Sequence, residues 1–460
     1  MKLQSERHSF ELVNTITKLF ENIVRSKICS PPTAARTGKL AMDFLQASNL
    51  IFALSDVCGD PVLTHPQFEA ICSKSFSTES DVVQEFTPFL QKIVMAASER
   101  SKVPLVLVNT ERHAWVKDPH GGSPSKPDML VTHPALYYPL KSTTDAKYDG
   151  PNFLFGKLAD WCLRDSFTAL LEWKVDIGDQ EYTPLGEVVE YVQRIVSFDD
   201  SNFGTRAVLA DKNGFKLLFF LHDRLIKCIF GLWTDAGSFE AWVSFFSQPS
   251  LLVKAIEGVC AKSALKIAMP SNDDPEIFLG SGGTGRVFKY NSTSDDALRY
   301  AVKIALESTG CSAIIAEHSR YSHNANLCPD ELVIIKSSHA APDNSYAFLV
   351  TYPVGKPFPY TKKSVQSSLW SLKKIAKADL HHGDPRYVNG VMDDEKIRWV
   401  DLQSLNQIEP GTNAKMFLRD VRIFSESLDL NVDPVLVEQY FDDDSILNAL
   451  TDKFSSIWRK

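Results

Sequence analysis

The 460-residue sequence predicts a multidomain chain of mixed α/β and α+β class. Between residues 76 and 270, helical apolar patterns alternate with β-rich runs, which is typical of an α/β domain. The segment 270–275 is polar, unpatterned and bracketed by prolines, which indicates a domain boundary. After it, β-rich runs precede helical patterns, so a β-rich part leads into an α-rich part. We therefore expect a helical region over 1–75, an α/β domain over 76–270 and a two-part domain over 276–460.

Composition narrows the class of protein. Apolar residues make up 44% of the chain and charged residues 23%, and the net charge is −8. The eight cysteines are scattered without a C-x-x-C pair. These values argue against a disordered tail, a generally basic nucleic-acid binder, a disulfide framework and a zinc knuckle. With no signal-peptide pattern and no apolar run long enough for a bilayer, we expect an intracellular protein.

The periodicity of apolar residues places the individual elements. A start signal at residues 78–81 predicts one helix with particular clarity, although Pro88 allows its true start to lie later. Helices are predicted over 10–23, 40–50, 78–94, 185–196, 239–246, 365–378, 415–428, 434–440 and 446–454. Strands are predicted over 103–108, 127–131, 167–174, 206–210, 215–221, 225–233, 286–290, 300–304, 331–336 and 348–350.

One loop in the last domain carries the residue types of phosphoryl transfer. Residues 381–389 read HHGDPRYVN, and Asp401 follows at a short distance. In this spacing Asp384 would accept the proton of an attacking hydroxyl, while Asn389 and Asp401 would hold Mg²⁺. A turn rich in Gly, Asp, Pro and Asn is also ordinary loop chemistry, so the upstream sequence has to decide.

Upstream, residues 280–287 read GSGGTGRV and match the pattern G-x-G-x-x-G-x-V at every position. The glycines Gly280, Gly282 and Gly285 would let backbone amides approach the phosphates of ATP, and Val287 would cover the purine. A lone glycine loop is weak evidence, because many hairpin turns look alike. Because this glycine loop directly precedes a strand that carries a lysine, an ATP site is the better interpretation.

That strand reads YAVK and ends at Lys303, which would contact the α- and β-phosphates. Glu317, on a predicted helix after it, is the natural ion-pair partner, and Glu307 is the weaker candidate because it lies too close in sequence. Asp420, on a later helix, would anchor the backbone of the catalytic loop; its alternative is a solvated surface charge.

The central domain carries a second set of candidate catalytic residues. Asp128 follows Pro127, and a later strand carries Glu172 and Lys174 on the same face. Asp128 and Glu172 would share a divalent cation, while Lys174 orients the attacking water. A helix carboxylate, Glu85 or less favourably Glu79, would complete the metal site. Surface strands often carry alternating charges and no basic stripe accompanies the motif, so a binding platform remains the alternative.

Residues 276–454 resemble the protein-kinase-like superfamily on these motifs. His-Gly-Asp stands where protein kinases usually have His-Arg-Asp, Asp-Leu-Gln replaces Asp-Phe-Gly, and Ala-Pro-Glu is missing. His-Gly-Asp also occurs in small-molecule kinases of the aminoglycoside and choline type. The resemblance therefore implies an ATP- and Mg²⁺-dependent kinase that phosphorylates either a protein Ser/Thr hydroxyl or a small alcohol.

The P-D…E-x-K pattern of the central domain resembles restriction-endonuclease-like PD-(D/E)xK nucleases. The two domains together resemble the C-terminal regions of Crinkler-type effectors and the related fungal-type protein kinases, over about residues 75–454. This resemblance implies a Ser/Thr kinase with a protein substrate, nucleic acid as a partner of the central domain, no membrane partner and action in a host nucleus. The alternatives are a small-molecule kinase, and a Mg²⁺-dependent nuclease or nucleic-acid-binding protein with a pseudokinase module.

Overall fold

The computed structural model describes residues 34–54, 59–111, 116, 125–138, 152–153, 164–178, 182–196, 204–269, 277–282, 284–295, 297–306, 308–324, 327, 330–394 and 396–454. The helix predicted over 10–23 lies outside these residues. The helices in them are α1 (Ala34–Ala47), α2 (His65–Cys72), α3 (Glu79–Ser101), α4 (Tyr182–Val196), α5 (Ser238–Phe246), α6 (Leu251–Lys262), α7 (Ser308–His323), α8 (Lys362–Lys377), α9 (Asn413–Glu426), α10 (Pro434–Asp442) and α11 (Leu447–Asp452). None of these helices is long and apolar enough to cross a bilayer.

The strands follow the predicted order, with short additional pairs. They are β1 (Ile51–Ala53), β2 (Val106–Asn109), β3 (Met129–Thr132), β4 (Tyr137–Tyr138), β5 (Asn152–Phe153), β6 (Phe167–Trp173), β7 (Arg206–Ala210), β8 (Gly214–Leu221), β9 (Arg224–Leu232), β10 (Leu265–Ile267), β11 (Phe278–Gly282), β12 (Gly285–Ser292), β13 (Arg299–Ala305), β14 (Ile334–Ala340), β15 (Ala347–Tyr352), β16 (Lys356–Pro357), β17 (Leu380–His381), β18 (Gly390–Asp393), β19 (Lys396–Trp399) and β20 (Asn406–Gln407).

The first sheet has seven strands in the order β1-β9-β8-β7-β6-β3-β2. Only the pairs β6–β7 and β1–β9 are parallel, so the sheet is mixed. One face packs on α1 and α4, and the other packs on α3, α5 and α6. Strand β6 is buried along its whole length, which explains its nearly continuous apolar sequence.

Helix α3 confirms the start signal and corrects the expectation for Pro88. Thr78 accepts a hydrogen bond from the Asp81 amide, and the Asp81 carboxylate accepts one from the Thr78 amide, so the helix begins at Glu79. Pro88 therefore lies inside the helix. An interior proline costs about 3 kcal/mol or more. Burial of Phe86, Leu90 and other apolar residues on either side of Pro88 offsets that cost.

Residues 34–75 do not form a separate helical region. Strand β1 is an edge strand of the first sheet and pairs with β9, with Ile51 opposite Cys228. Helix α1 packs closely on α4, where Gly38 and Gly186 leave space for the backbones to approach each other. This segment therefore belongs to the α/β unit that was predicted to begin at residue 76.

The second sheet has the order β10-β12-β13-β15-β14, with β11 on the free part of β12. Helix α7 packs on β14 and β15. Below this sheet, α8, α9, α10 and α11 enclose a separate apolar core with Trp399 and Phe424. Strand β10 ends before the predicted boundary at 270–275, so the second sheet begins earlier in sequence than expected.

The two sheets share one apolar core through α6. Buried side chains of the first sheet, of α6 and of the second sheet form a single cluster that includes Ile256, Phe288 and Tyr290. The Tyr290 hydroxyl donates to the Ile256 carbonyl at 3.3 Å. Arg286, on β12, pairs with Asp165, just before β6, at 3.3 Å, and both side chains are buried. The α/β unit and the second sheet therefore pack as one body.

The crossing of α1 and α4 gives a stability test. A Cβ atom at residue 38 would lie 1.9 Å from the Tyr182 carbonyl oxygen, so Gly38→Ala forces the two helices apart. We expect this overpacking to lower the free energy of unfolding by about 1–3 kcal/mol in urea titrations followed by circular dichroism. The exposed neighbour Lys39 provides the control, since Lys39→Ala should stay within about 0.5 kcal/mol of wild type. Equal stability of the two variants would contradict the close approach.

Candidate functional sites

Lys303 is the centre of the candidate site in the second unit. Strand β13 places it next to α7, where its ammonium donates to Glu317 Oε2 at 3.0 Å and to Asp401 Oδ1 at 2.6 Å. Burial opposes the positive charge, but the two carboxylates outweigh it and hold the pKa of Lys303 above its ordinary value. Lys303 and Asp401 are 98 positions apart in sequence, and Glu317 lies between them. The fold thus brings together the three side chains that were predicted to form an ATP site.

Glu317 fixes two parts of the site at once. Its Oε1 atom accepts a hydrogen bond from the Leu402 amide at 2.8 Å, while Oε2 holds Lys303. Asp401 has φ 60° and ψ 59°, a left-handed conformation that turns the chain sharply just after β19. The amide following Asp401 is thereby directed at Glu317, and the Asp401 carboxylate is directed at Lys303.

Asp420 holds the backbone of the loop that carries Asp384. Its carboxylate accepts hydrogen bonds from the amides of His382, at 2.9 Å, and Gly383, at 3.1 Å. Asp420 is buried, and this burial raises its pKa to about 7 against the opposing effect of the two amides. The alternative of a solvated surface charge is therefore wrong for Asp420.

His382 also helps to shape this loop. Nδ1 accepts a hydrogen bond from the Asp384 amide at 3.3 Å, so Nε2 carries the hydrogen that is donated to the Val400 carbonyl at 3.0 Å. Burial lowers the pKa of His382 to about 4, which agrees with a neutral ring. A neutral imidazole with a hydrogen bond at each ring nitrogen therefore supports the loop without adding charge beside Asp384.

Gly383 explains the unusual His-Gly-Asp sequence. Its φ is +81°, and an added Cβ would lie 2.6 Å from the Ser404 carbonyl oxygen. An arginine at this position would be both conformationally strained and blocked by backbone. The loop after Asp401 therefore occupies the space that a side chain at residue 383 would need.

Asp384 has two polar neighbours, one of which sequence reasoning missed. Arg386 donates from Nε to Asp384 Oδ1 at 2.8 Å and from a terminal nitrogen to Oδ2 at 2.6 Å. Asn389 donates its side-chain amide to the Asp384 carbonyl at 2.9 Å and to Oδ2 at 3.2 Å. The amide oxygen of Asn389 is then the atom left for a cation. The only sequence signal for Arg386 was a cation two residues after the candidate base.

The glycine loop forms the hairpin between β11 and β12. A Cβ added at Gly280 or Gly282 would meet nothing within 4 Å, so the backbone there is open to a ligand. Val287 is half-buried and lies opposite Lys303 in the β12–β13 ladder. The open backbone and the adjacent Lys303 ammonium fit the phosphates of a nucleotide.

The central site brings its predicted residues together at one end of β6. Carboxylate oxygens of Glu79, Asp128 and Glu172 all lie within 4.8 Å of one another. The Lys174 ammonium lies 2.8 Å from Glu172, 3.0 Å from Glu79 and 2.9 Å from Glu187. Sequence reasoning missed Glu187, whose only signal was its place on the helix that follows β6.

Glu79, and not the favoured Glu85, supplies the third carboxylate. Glu85 pairs instead with Lys74 at 2.6 Å. Six residues of helix carry the chain about 9 Å along the axis and well past one full turn. Since Glu79 begins α3 at the edge of the cluster, Glu85 lies too far along the helix and on a different side.

The electrostatics of the central site fit a hard divalent cation. Glu172 Oε2 is buried without a hydrogen-bond partner within the described part of the chain. Burial, and next the charge of Asp128, raises the pKa of Glu172 to about 8. Burial also raises the pKa of Asp128 to about 7, against a hydrogen bond from the Trp173 amide at 2.7 Å. Crowded carboxylates with an unpaired oxygen are the ligands that Mg²⁺ or Mn²⁺ prefers.

Comparisons with known proteins leave the family open. No family model matches the chain, and no curated protein sequence matches it. Among the solved structures that match is the crystal structure of a kinase domain, which is 15% identical with a TM-score of 0.25. The match covers 32% of this chain and 52% of that chain, so it spans about half of the solved domain. Function is therefore inferred from the geometry of the two sites.

The central cluster predicts a metal effect that depends on pH. The folded-state pKa values of Asp128 and Glu172 are raised, so this pair favours folding at low pH and loses that contribution as pH rises through about 7 to 8. A cation that needs both carboxylates ionised offsets the loss. We expect Mn²⁺ to raise the melting temperature more at pH 8.5 than at pH 6.

Differential scanning fluorimetry with and without Mn²⁺ at the two pH values measures this effect. Glu172→Gln should lose most of the Mn²⁺ shift. Glu85→Gln, the same change at a helix carboxylate outside the cluster, should keep it. A shift that is equal at both pH values, or equal in the two variants, would contradict a cation held by the cluster.

Proposed function

We propose that this chain is a Mg²⁺-dependent phosphotransferase that uses ATP. The observation that carries the proposal is Lys303, held at 3.0 Å from Glu317 and 2.6 Å from Asp401 beside an open glycine loop. A lysine paired in this way is positioned to bind phosphate oxygens, and Asp401 with Asn389 would supply oxygen ligands to Mg²⁺. When bound, Mg²⁺ would neutralise charge on the phosphoryl group in transfer.

Asp384 is the residue we assign to the acceptor hydroxyl. Asn389 orients its carboxylate at 3.2 Å, and Asp420 anchors the loop around it through two backbone amides. Arg386 pairs with Asp384 on an exposed side of the loop, where the guanidinium is also available to a phosphate. Positioning and charge carry the rate in such a site, because the protein contributes little covalent chemistry.

The substrate class we favour is a protein Ser/Thr hydroxyl. The support for it is the resemblance of about residues 75–454 to Crinkler-type effectors and fungal-type protein kinases, from which a role in a host nucleus would also follow. A small alcohol is the competing acceptor, because His-Gly-Asp also occurs in small-molecule kinases. The phosphoryl-transfer assay described below distinguishes the two acceptors.

A second candidate function belongs to the central site. The convergence of Glu79, Asp128 and Glu172 within 4.8 Å, with Lys174 among them, favours metal-dependent cleavage of a phosphodiester. The carboxylates would hold the cation, and Lys174 would orient the attacking water. If the cluster binds metal without cleavage, the remaining interpretation is a nucleic-acid-binding platform joined to the kinase-like unit.

For the phosphotransferase, we expect Asp384→Asn to lower phosphoryl transfer by about 10²- to 10⁴-fold, since it removes the group that accepts the proton. Mg-ATP at 100 times its dissociation constant should still stabilise this variant by about 2.7 kcal/mol. The assay uses ATP labelled at the γ-phosphate and separates protein-bound from small-molecule label. Label found only on small molecules would assign a small-alcohol substrate.

Asp394→Asn is the matched control for this measurement. Asp394 is exposed in the turn between β18 and β19 and has φ 54°, a conformation that asparagine adopts readily. It should transfer phosphate at the wild-type rate. Equal rates for wild type and Asp384→Asn would overturn the assignment of Asp384, and a melting temperature unchanged by Mg-ATP in wild type would indicate a pseudokinase.

For the central site, we expect slow nicking of supercoiled plasmid DNA in Mn²⁺ or Mg²⁺. The double variant Glu172→Ala/Lys174→Ala should lose the nicking, because it removes a metal ligand and the group that orients water. Gel electrophoresis of plasmid over a time course measures the reaction. Asp384→Asn serves as the control and should nick at the wild-type rate; nicking that survives in the double variant would exclude this cluster as its source.

A further inference from the structure

A groove outside both candidate sites lies between α9 and α10. It encloses about 250 Å³, and its floor is formed by aliphatic side chains and a proline. Leu418 and Val421 come from α9, while Val432, Pro434 and Val437 come from the following segment and α10. The floor is thus apolar, with Val421 and Val437 buried at its base, which suits aliphatic side chains more than a flat or hydrated ligand.

Three basic side chains form the rim of the groove. Lys415, Arg419 and Arg422 are exposed and occupy positions i, i+4 and i+7 of α9, which lie on one face of the helix. Lys415 and Arg419 make no ion pair within the described residues. Arg422 pairs with Glu426 at 2.6 Å, but their side chains are 76% and 48% exposed. Such an exposed pair is weak and readily exchanged for another carboxylate.

The groove is attached to the helix that supports the catalytic loop. The Asp420 carboxylate, next to Arg419 in sequence, accepts hydrogen bonds from the backbone amides of His382 and Gly383. A ligand in the groove would therefore be held on the same lobe as Asp384.

We propose that this groove is a docking site for a peptide segment in which aliphatic residues are flanked by acidic ones. Charge complementarity selects this occupant, because three cations on α9 line one side of the apolar groove. A nucleic acid would leave the apolar floor without a partner, since its affinity comes mainly from phosphates. A membrane surface would need several protruding apolar side chains, whereas Val421 and Val437 are buried and Leu418 and Val432 are half-buried.

The test measures binding to the full chain by fluorescence anisotropy, without phosphoryl transfer. The probe is a labelled peptide with two adjacent leucines flanked on each side by two acidic residues. We expect saturable binding that weakens with added salt, because the rim charges are exposed. Lys415→Glu/Arg422→Glu should weaken it about tenfold or more, as two rim attractions become repulsions.

Lys396→Glu, a reversal of another exposed lysine that lies on β19 outside the groove, is the control and should bind like wild type. Melting temperatures verify that each variant is folded. The proposal is overturned if the peptide does not bind, if the double reversal binds as well as wild type, or if a peptide with serines in place of the leucines binds equally. Binding of anionic vesicles or DNA at this rim in preference to the peptide would also overturn it. Since no ATP is present, failure here leaves the proposed phosphotransferase activity unaffected.

Discussion

The ion pairs of the largely buried Lys303 ammonium are the interactions on which the second unit depends. A buried charge is tolerated only with partners, and Lys303 takes one from α7 and one from the turn after β19. Glu317 also accepts a hydrogen bond from the Leu402 amide, so the second sheet, α7 and the turn after β19 are held in a single arrangement. The apolar cores bring these elements near one another, and the ion pairs fix their relative position.

The sequence predicted the residues whose chemistry depends on order along the chain. Glycine loop, lysine, helix glutamate, Asp384, Asn389 and Asp401 follow one another at recognisable intervals, so their proximity could be inferred. Asp128, Glu172 and Lys174 were identified because β3 and β6 are neighbours and alternate residues share a face. The choice of Glu85 as the third carboxylate was wrong. The sequence predicts a helix there, but it does not show which turn and face of that helix lie against the sheet.

Other features depend on contacts between distant segments and carried no local signal. Gly383 is required by the Ser404 carbonyl, which lies 21 residues later in the chain and could be placed only by the folded loop. Strand β10 is only three residues long, so the sequence did not predict it or its pairing with β12. The polar segment after it was taken as the domain boundary instead. In each case the deciding atoms belong to a partner that periodicity does not identify.

The shared core around α6 bears on how this chain is inherited. Phe288 and Tyr290 are fully buried, and α6 covers part of their surface. Arg286 pairs with Asp165, which precedes the polar linker in sequence. A gene fragment starting at the linker would encode a sheet with an uncovered apolar face and a buried arginine deprived of that partner. Recombination at this point would therefore yield poorly folded products. The α/β unit is in this sense a permanent partner of the second unit, and the two are expected to be retained or lost together.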